Sequence, residues 1–327
     1  MSRRTFRSRG FLFGFCFSLL ASAALAQEYP TKAIRTLIPY PAGSGPDIMA
    51  RVIGQQMAGT LGQPFVIDNK GGGGGVPAIL ELKNAAPDGY TVLELDSSQW
   101  AMYPALRPNA PYDAARDFAP VGLIYTAPVF IYTRADSPYK DLRELVAAAR
   151  AKPGKMQYGV TGLGGLMHVV GEAFKNSGNL DVLPIAYQAS QQSLAGVVSG
   201  DLDYAIAGYG SLLPQIQAGK VRALAASTNT RNKDAPDVPT IAEALGVPTF
   251  NFAVQYGMVG HSGTPKPVLD KLAAALAKAL AQPDVAQRAK ALSLDLTPLT
   301  PEQFSELIRS DIAKYSQTVK AARLKLE

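Results

Sequence analysis

The sequence predicts an α/β protein built from two similar lobes. Short apolar runs alternate with segments of helical period from Ile34 to about residue 226. A strand, a glycine loop and a helical face follow one another near Tyr40 and again near Tyr158. The length of 327 residues suits two domains of ordinary size. Because open α/β sheets bind ligands at the carboxyl ends of their strands, two facing lobes would bring both glycine loops to one cleft.

The first 26 residues have the pattern of an export signal. Four arginines lie among the first ten residues: Arg3, Arg4, Arg7 and Arg9. They precede the apolar run "GFLFGFCFSLLASAALAQ", in which Ala24-Leu25-Ala26 gives the small-x-small pattern of a signal peptidase site. The run is shorter than the roughly 20 residues that span a bilayer, which disfavours a membrane anchor. We expect cleavage near Ala26-Gln27, by the general or the twin-arginine export route, and a soluble periplasmic protein.

The charge of the remaining chain excludes several function classes. The whole sequence carries +6, with 32 basic and 26 acidic residues. Residues 1–26 hold four of the basic residues and no acidic one, so the mature chain has 28 against 26, or +2. This near-neutral balance gives no reason to expect nucleic acid or a membrane surface as partner. The only cysteine, Cys16, lies in the export signal, so no disulfide, catalytic cysteine or thiolate metal site is expected.

The strands and helices follow from the periodicity in chain order. The predicted strands are "AIRTLIPY", "PFVIDN", "YTVLELD", "FAPVGLIYT", "VFIYTR", "MQYGVTG", "DVLPIAY", "LDYAIAG" and "VRALAAS". The predicted helices contain Ile48 to Leu61, the residues after Gly75, the surroundings of Trp100, residues 142–150, the residues from Leu166 and Ser193–Val198. The alternation favours a mostly parallel sheet. A long amphipathic helix over 301–327, with apolar residues from Phe304 to Val319, is expected to pack on the body.

The first glycine loop lies in "IPYPAGSGPDIMAR", residues 38–51. Ser44 and Asp47 have the spacing of a capping box, and Pro46 suits the first turn of the helix. Gly43 and Gly45 carry no side chain, so main-chain N–H groups can approach a ligand at the partly positive helix start. A purely structural role for Ser44 and Asp47, as caps of the helix, remains an alternative.

The second glycine loop is "YGVTGLGGLMH", residues 158–168, and it also precedes an apolar helical face. Neither this loop nor the glycine run 71–75 has the spacing of a nucleotide-binding motif, and the run is predicted to form a turn. Asp96 and Ser97 follow the strand "YTVLEL", so they are candidates either for ligand contacts or for a helix cap.

Neither glycine loop contains lysine or arginine, which favours a small organic acid over phosphate. A charge-assisted hydrogen bond contributes roughly 1.5–3 kcal/mol, so several N–H and hydroxyl donors could give micromolar affinity, about 8 kcal/mol. The sequence has only two histidines, His168 and His261, and no serine-nucleophile elbow. We therefore expect no metal, no cofactor and no catalytic centre.

The residues from 28 onward resemble the Bug family, the periplasmic solute-binding proteins of tripartite tricarboxylate transporters. The resemblance rests on ordered blocks: "YPTKAIRTLIPYPAGSGPDIMAR", "LGQPFVIDNKGGGGG", "APDGYTVLEL", "YDAARDFAPVGLI", "YGVTGLGGLMH", "GKVRALAASTNTR", "DVPTIAEA" and "GTPKPVLDKL". It implies a two-lobed periplasmic binding protein fold of the Venus-flytrap, type II-like kind, in which each lobe is a mixed sheet flanked by helices.

The resemblance also implies a ligand site between the lobes. In the family the loop at Tyr40–Asp47 and the loop at Thr161–His168 hold the ligand from both sides, largely through backbone amides and ordered waters. The implied contacts are Tyr40, Ala42, Gly43, Ser44, Asp47, Asp96 and Ser97 from lobe one, and Thr161, Gly162, Gly164, Gly165, His168, Tyr187, Gln188 and Tyr209 from lobe two.

Several positions depart from the family pattern, so the identity of the ligand does not carry over. Tyr187-Gln188-Ala189 stands where the family commonly has tyrosine-lysine-glycine, and Tyr256 precedes Gly257 where a tryptophan is frequent. Val160 and the Ser44-Gly45-Pro46 segment also differ from the usual residues.

The function that we expect is capture of a small mono- or dicarboxylate, aliphatic or aromatic, and its delivery to the permease subunits of such a transporter. The expected lobe boundaries are 27–126 plus 230–300 and 127–229, with a hinge near 125–128 and 227–232. We expect a monomer that binds no nucleic acid. Two rivals remain: a partner that reports its ligand to a signalling system, and a hydrolase or lyase on the same fold with Asp47 or His168 as general base.

Overall fold

The computed structural model describes residues 29–161, 165–187, 189–322 and 324. The predicted export signal and three of the expected ligand contacts, Gly162, Gly164 and Gln188, lie outside the described residues.

The described chain alternates strands and helices, as the periodicity predicts. The strands are β1 (Ile34–Ile38), β2 (Phe65–Asn69), β3 (Thr91–Asp96), β4 (Phe118–Arg134), β5 (Gln157–Thr161), β6 (Leu183–Tyr187), β7 (Tyr204–Gly208), β8 (Val221–Ala226), β9 (Ala253–His261) and β10 (Asp295–Leu299). The α-helices are α1 (Gly45–Leu61), α2 (Val76–Lys83), α3 (Tyr103–Leu106), α4 (Ala114–Asp117), α5 (Leu142–Ala151), α6 (Leu166–Gly178), α7 (Ser190–Ser199), α8 (Tyr209–Gln217), α9 (Ile241–Leu245), α10 (Lys266–Leu280), α11 (Pro283–Ala291) and α12 (Pro301–Ala321). A 3-10 turn at Gly73–Gly75 precedes α2, and a π-helical turn at Ser98–Met102 precedes α3.

The α/β class is confirmed, and the sheet is mixed, as the family resemblance implies, rather than mostly parallel, as the alternation alone favoured. The strands are ordered β2-β1-β3-β9-β4-β7-β5-β6, and β8 and β10 also pair with β4. Strands β1, β2 and β3 pair in parallel, and so do β5, β6 and β7. Every pairing made by β4 or β9 is antiparallel. The alternation did not reveal this, because β9 and β10 were not predicted and because periodicity does not show that β7 and β8 pair antiparallel with β4.

Strand β9 was missed because its sequence, "AVQYGMVGH", contains two glycines and a polar residue, which weaken the strand signal. The packing explains one of these glycines. A Cβ at Gly257 would lie 2.2 Å from Cζ of the Phe304 ring, so only glycine leaves room for that ring.

Strand β4 joins two halves of the sheet. The segments "FAPVGLIYT" and "VFIYTR", predicted as separate strands, form this single strand of 17 residues. Its residues 118–128 pair with β9, and residues 123–126 also pair with β10; these strands, with β1, β2 and β3, form the first sheet half. Residues 129–134 pair with β7 and β8, which form the second sheet half with β5 and β6. The change of partners falls between Pro128 and Val129.

Three clusters of buried side chains hold helices on the two sheet halves. Helices α1, α10 and α11 cover one face of the first half through Met49, Leu272 and Val285. Residues of α5 and α6 belong to the largest cluster. Helix α9 contacts α5 there, since Nε of Arg143 donates a hydrogen bond to the carbonyl of Ala244 over 3.1 Å.

Helix α12 lies on the body of the protein with its apolar face inward. Phe304, Ile308 and Tyr315 are almost fully buried. On the same inward face, the indole Nε1 of Trp100 donates a hydrogen bond to Oδ2 of the buried Asp311 over 3.0 Å, which adds a polar contact to the apolar packing. Among the residues that the structure describes, no helix is both long enough and apolar enough to cross a bilayer.

Candidate functional site

The first glycine loop connects the end of β1 to the start of α1. Pro41, Ala42 and Gly43 are exposed, whereas Asp47 in the first turn of the helix is buried. Gly43 has φ +81°, the left-handed region that favours glycine, so the turn itself requires this residue. A Cβ built on Gly43 or on Gly45 would meet no atom within 4 Å, so both glycines face open space.

The carboxylate of Asp47 fixes the loop. Its Oδ2 accepts the N–H of Gly43 over 2.8 Å, and its Oδ1 accepts Nη2 of Arg51 and Nδ2 of Asn69, each over 2.9 Å. The capping box predicted for Ser44 and Asp47 does not form, because the Ser44 hydroxyl donates instead to the carbonyl of Pro41 over 2.6 Å. The Ser44 hydroxyl therefore has its hydrogen-bond acceptor within the loop itself.

The charge of Asp47 is retained despite its burial. Burial acts to raise the pKa of this carboxyl, but hydrogen bonds from Arg51, Gly43 and Asn69 outweigh it, so the pKa lies below the usual 3.8. The loop contains no cation of its own, as the sequence indicates, yet Arg51 from the next turn of α1 neutralises the carboxylate beneath it.

We expect Asp47→Asn to lower the free energy of unfolding by about 2 kcal/mol, because the amide cannot accept from all three donors and leaves Arg51 without its counter-ion. The measurement is urea denaturation. The matched control is Asp270→Asn in α10, where Asp270 forms an exposed i,i+4 pair with Lys266 and where removal should change stability by less than about 0.5 kcal/mol. Equal losses in the two variants would show that Asp47 does not hold the loop.

Around the start of α1, the main-chain N–H groups of Ala42, Gly45 and Asp47 have no acceptor within the described part of the chain. The N–H of Gly43, which the sequence suggested for a ligand, donates to Asp47, and that of Ser44 donates to the Pro41 carbonyl over 3.2 Å. The free N–H groups at the tip of α1 therefore form the part of the loop that can receive an anion.

Asp96 and Ser97 lie beside this loop but face inward. The Tyr40 hydroxyl donates to Oδ2 of Asp96, and the N–H of Ser98 donates to its Oδ1 over 2.7 Å. The hydroxyl of Ser97 donates to the carbonyl of Ala253 in β9 over 3.0 Å. Both side chains are buried, so they join the loop to β9 rather than ending in open space.

Asn69 and Gly71 also hold the first loop, which the sequence analysis did not predict. Nδ2 of Asn69 donates to the carbonyl of Tyr40 over 3.1 Å. A Cβ on Gly71 would lie 3.4 Å from the backbone nitrogen of Pro41, so this glycine packs directly on the loop. The only available signal was position: Asn69 ends β2, Gly71 follows it, and β2 lies next to β1 in the sheet.

The second loop follows the same plan at the end of β5. Thr161 is the last residue of the strand, Gly165 is the N-cap of α6, and His168 lies in the first turn of that helix. His168 is buried, and burial lowers its pKa below 6.5 despite the neighbouring Glu172. The imidazole is therefore largely neutral at neutral pH and adds no fixed cation to the loop.

Tyr187 is the last residue of β6 and Tyr209 directly follows β7, the two strands on either side of β5. The Tyr209 hydroxyl donates to the carbonyl of Asp234 over 3.1 Å, and the Tyr187 hydroxyl lies against α7, where a Cβ on Gly196 would be 2.9 Å away. Their hydroxyl groups are thus directed at the body. Gly208, the last residue of β7 and the N-cap of α8, has open space at its Cβ position and was not predicted as a site residue.

The topology places the expected residues in two groups. The first lies at the carboxyl ends of β1, β2 and β3, and the second at those of β5, β6 and β7. In the described part of the chain, no group of three histidine, cysteine, aspartate or glutamate side chains is arranged to hold a metal ion. The chemistry that the first group offers is main-chain donation at a helix tip.

Comparison with protein families gives a match over most of the chain. The sequence model described as "Tripartite tricarboxylate transporter family receptor" (TctC) matches residues 49–324. Among curated proteins, the "UPF0065 protein in tcbD-tcbE intergenic region" of Pseudomonas sp. (strain P51) is 33% identical over 97% of this chain and 95% of its own length. Protein BugT of Bordetella pertussis (strain Tohama I) is 29% identical, with 94% of each chain covered.

Solved structures share the fold over nearly their whole length. One described as a periplasmic transporter is 37% identical with a TM-score of 0.75, covering 91% of this chain and 100% of that one. MatC of Rhodopseudomonas palustris, with bound malate, is 29% identical with a TM-score of 0.72 and coverage of 89% and 100%. A second R. palustris protein, with adipate, is 26% identical with a TM-score of 0.75 and coverage of 91% and 99%.

Proposed function

We propose, given that this chain belongs to the tripartite tricarboxylate transporter receptor (TctC) family, that it captures a small organic dicarboxylate between its two sheet halves. One carboxylate would accept hydrogen bonds from the free N–H groups of Ala42, Gly45 and Asp47, and the other would meet the loop that begins α6. Two of the family's solved members hold malate and adipate, both dicarboxylates.

The supporting observation is the set of free N–H groups at the tip of α1, in a loop that is already fixed by Asp47 and Asn69. A helix start carries about half a positive charge, and each charge-assisted hydrogen bond contributes roughly 1.5–3 kcal/mol. Because the loop is held before ligand arrives, little ordering opposes binding. An ammonium group would find no acceptor among these donors, whereas a carboxylate is complementary to them.

Asp47 is unsuited to the general base of a hydrolase or lyase. Both of its carboxylate oxygens already accept hydrogen bonds, and the Arg51 guanidinium holds it in its ionised form. A base must reach the proton that it removes, and this one is buried beneath the loop. The arrangement favours a binding protein over an enzyme.

The proposed motion is closure of the two sheet halves about the segment where β4 changes partners, between Pro128 and Val129. Ser227 adjoins this segment, since its N–H donates to the carbonyl of Val129 over 2.9 Å. Ligand would favour the closed state because only closure lets both loops contact it. We further propose that the closed protein, exported to the periplasm, delivers its ligand to the permease subunits of a tripartite transporter.

A thermal-shift screen tests the proposed ligand class. A dicarboxylate present at about 100 times its dissociation constant should raise the free energy of unfolding by about 2.7 kcal/mol, and small-angle scattering should show a smaller radius of gyration in its presence. Dimethyl adipate, which has the same chain without charges, is the control for adipate. Equal stabilisation by acid and ester, or no stabilisation by any carboxylate, would contradict the proposal.

A further inference from the structure

We propose that the rings of Tyr40 and Tyr256 form an aromatic floor beside the first loop, which selects dicarboxylates with a flat or hydrocarbon body over hydroxylated ones. This inference rests on the proposed function, since it concerns the part of the same ligand that lies between its carboxylates.

The polar end of Tyr40 is committed to the protein. Its hydroxyl donates to Asp96 and accepts Nε2 of Gln99 over 3.2 Å. The remaining oxygen of Asp96 accepts the N–H and the hydroxyl of Ser98. Tyr40 as a residue is only partly buried, and with its hydroxyl bound to Asp96 and Gln99, the ring is what its side chain can offer a ligand. A ligand beside Tyr40 would therefore meet a hydrocarbon surface.

Tyr256 extends this surface. It lies in β9 opposite Asp96 of β3 and Tyr125 of β4, on the same face of the first sheet half. Its ring centroid is 4.5 Å from that of Tyr125 in a stacked pair, and 5.9 Å from that of Tyr40. Burial raises the pKa of the Tyr256 hydroxyl, and the residue as a whole is only partly buried.

The hydroxyl of Tyr125, the innermost of the three rings, is also bound within the protein. The Tyr125 hydroxyl donates to Oε1 of the buried Glu94 over 3.2 Å. The three rings thus form a continuous row from the first loop into the sheet. The hydroxyls of Tyr40 and Tyr125 form hydrogen bonds with protein groups.

Aromatic ring faces select against hydroxylated ligands because they offer a ligand hydroxyl no hydrogen-bond partner. They hold a flat or hydrocarbon body by dispersion, but a ligand hydroxyl placed on them loses its water without gaining a partner, which costs about 1–3 kcal/mol. The negative face of an aromatic ring also repels a carboxylate. The acid groups are therefore directed to the N–H donors, and the body of the ligand lies on the rings.

The test is isothermal titration calorimetry with three dianions: isophthalate, adipate and malate. We expect isophthalate and adipate to bind at least about tenfold more tightly than malate, the equivalent of about 1.4 kcal/mol. Tyr256→Leu should weaken isophthalate by about tenfold and malate by less than about threefold, and Tyr256→Phe, which keeps the ring, should restore the wild-type order. Thermal unfolding checks that each variant is folded.

The outcomes separate this inference from the proposed function. Malate binding as tightly as adipate in the wild-type protein, or an equal loss for all three acids in Tyr256→Leu, overturns the aromatic floor and leaves carboxylate capture intact. If Tyr256→Leu does not fold, the order of affinities of the three acids for the wild-type protein still tests the aromatic floor. Binding of none of the three would contradict the proposed function itself.

Discussion

Replacing Gly45 with valine should weaken dicarboxylate binding by at least about 100-fold, roughly 2.7 kcal/mol, while the protein stays folded. Gly45 is the first residue of α1, and the space around its Cβ position is open to 4 Å, so valine meets no protein atom there. Its methyl groups would instead occupy the approach to the free N–H groups of Gly45 and Asp47. Helix propensity at this position changes by only about 0.5 kcal/mol.

The matched control is Gly59→Val in the same helix. Gly59 is exposed, its Cβ position is equally open, and it lies near the far end of α1 from the first loop. Calorimetry should give wild-type affinity for this variant, and circular dichroism should show that both variants keep the helix. Wild-type affinity in Gly45→Val would mean that the tip of α1 does not receive the ligand.

The second large effect is a loss of stability with rising pH that depends on Glu94. This side chain is fully buried in β3, its Oε1 accepts from Tyr125, and its Oε2 has no partner among the described residues. Burial, assisted by the nearby charge of Asp47, raises the pKa of the Glu94 carboxyl from 4.5 to about 8. The folded protein therefore holds a neutral carboxylic acid at this position at neutral pH.

The direction of the effect follows from where the proton is bound. Below pH 4.5 both the folded and the unfolded chain keep it, and the group does not affect stability. Between pH 4.5 and about 8 only the folded chain keeps it, so the free energy of unfolding falls by about 1.4 kcal/mol per pH unit. Across this window the free energy of unfolding falls by about 5 kcal/mol in all, and above it the free energy stays lower by that amount.

Glu94→Gln isolates this contribution, because the amide does not titrate. We expect the difference in unfolding free energy between variant and wild type, measured in urea, to grow in favour of the variant from pH 4.5 to 8. Glu306→Gln, at an exposed position of α12, is the control and should show a constant difference. Parallel pH profiles for the wild type and Glu94→Gln would show that Glu94 is already ionised at neutral pH.

The sequence predicted the local structure of the candidate site well. Strand β1, the loop and helix α1 follow from an apolar run, two glycines and helical spacing, all within about 30 residues. The same reasoning located Thr161, Gly165 and His168 on the second loop. It did not predict that the N–H of Gly43 is committed to Asp47, because that bond depends on a side-chain rotamer set by Arg51 and Asn69.

Sequence patterns also could not predict the residues that reach the site from other strands. Asn69 holds the first loop from β2, and Tyr256 approaches it from β9, more than 200 residues along the chain from Tyr40. Both depend on which strands are neighbours, and β9 itself was missed because its glycines resemble loop residues. The antiparallel pairings of β4 with β7 and β8 likewise depend on which strands are neighbours.

The sequence by itself determined the α/β class, the order of most strands and helices, the two glycine loops without internal cations and the near-neutral charge beyond residue 26. These depend on periodicity and composition, which act over a few residues. The tertiary structure alone decided which N–H groups stay free, that Asp47 is a buried support and that tyrosine hydroxyls face inward. Each of those depends on burial and on contacts between distant segments, and both arise only when the chain is folded.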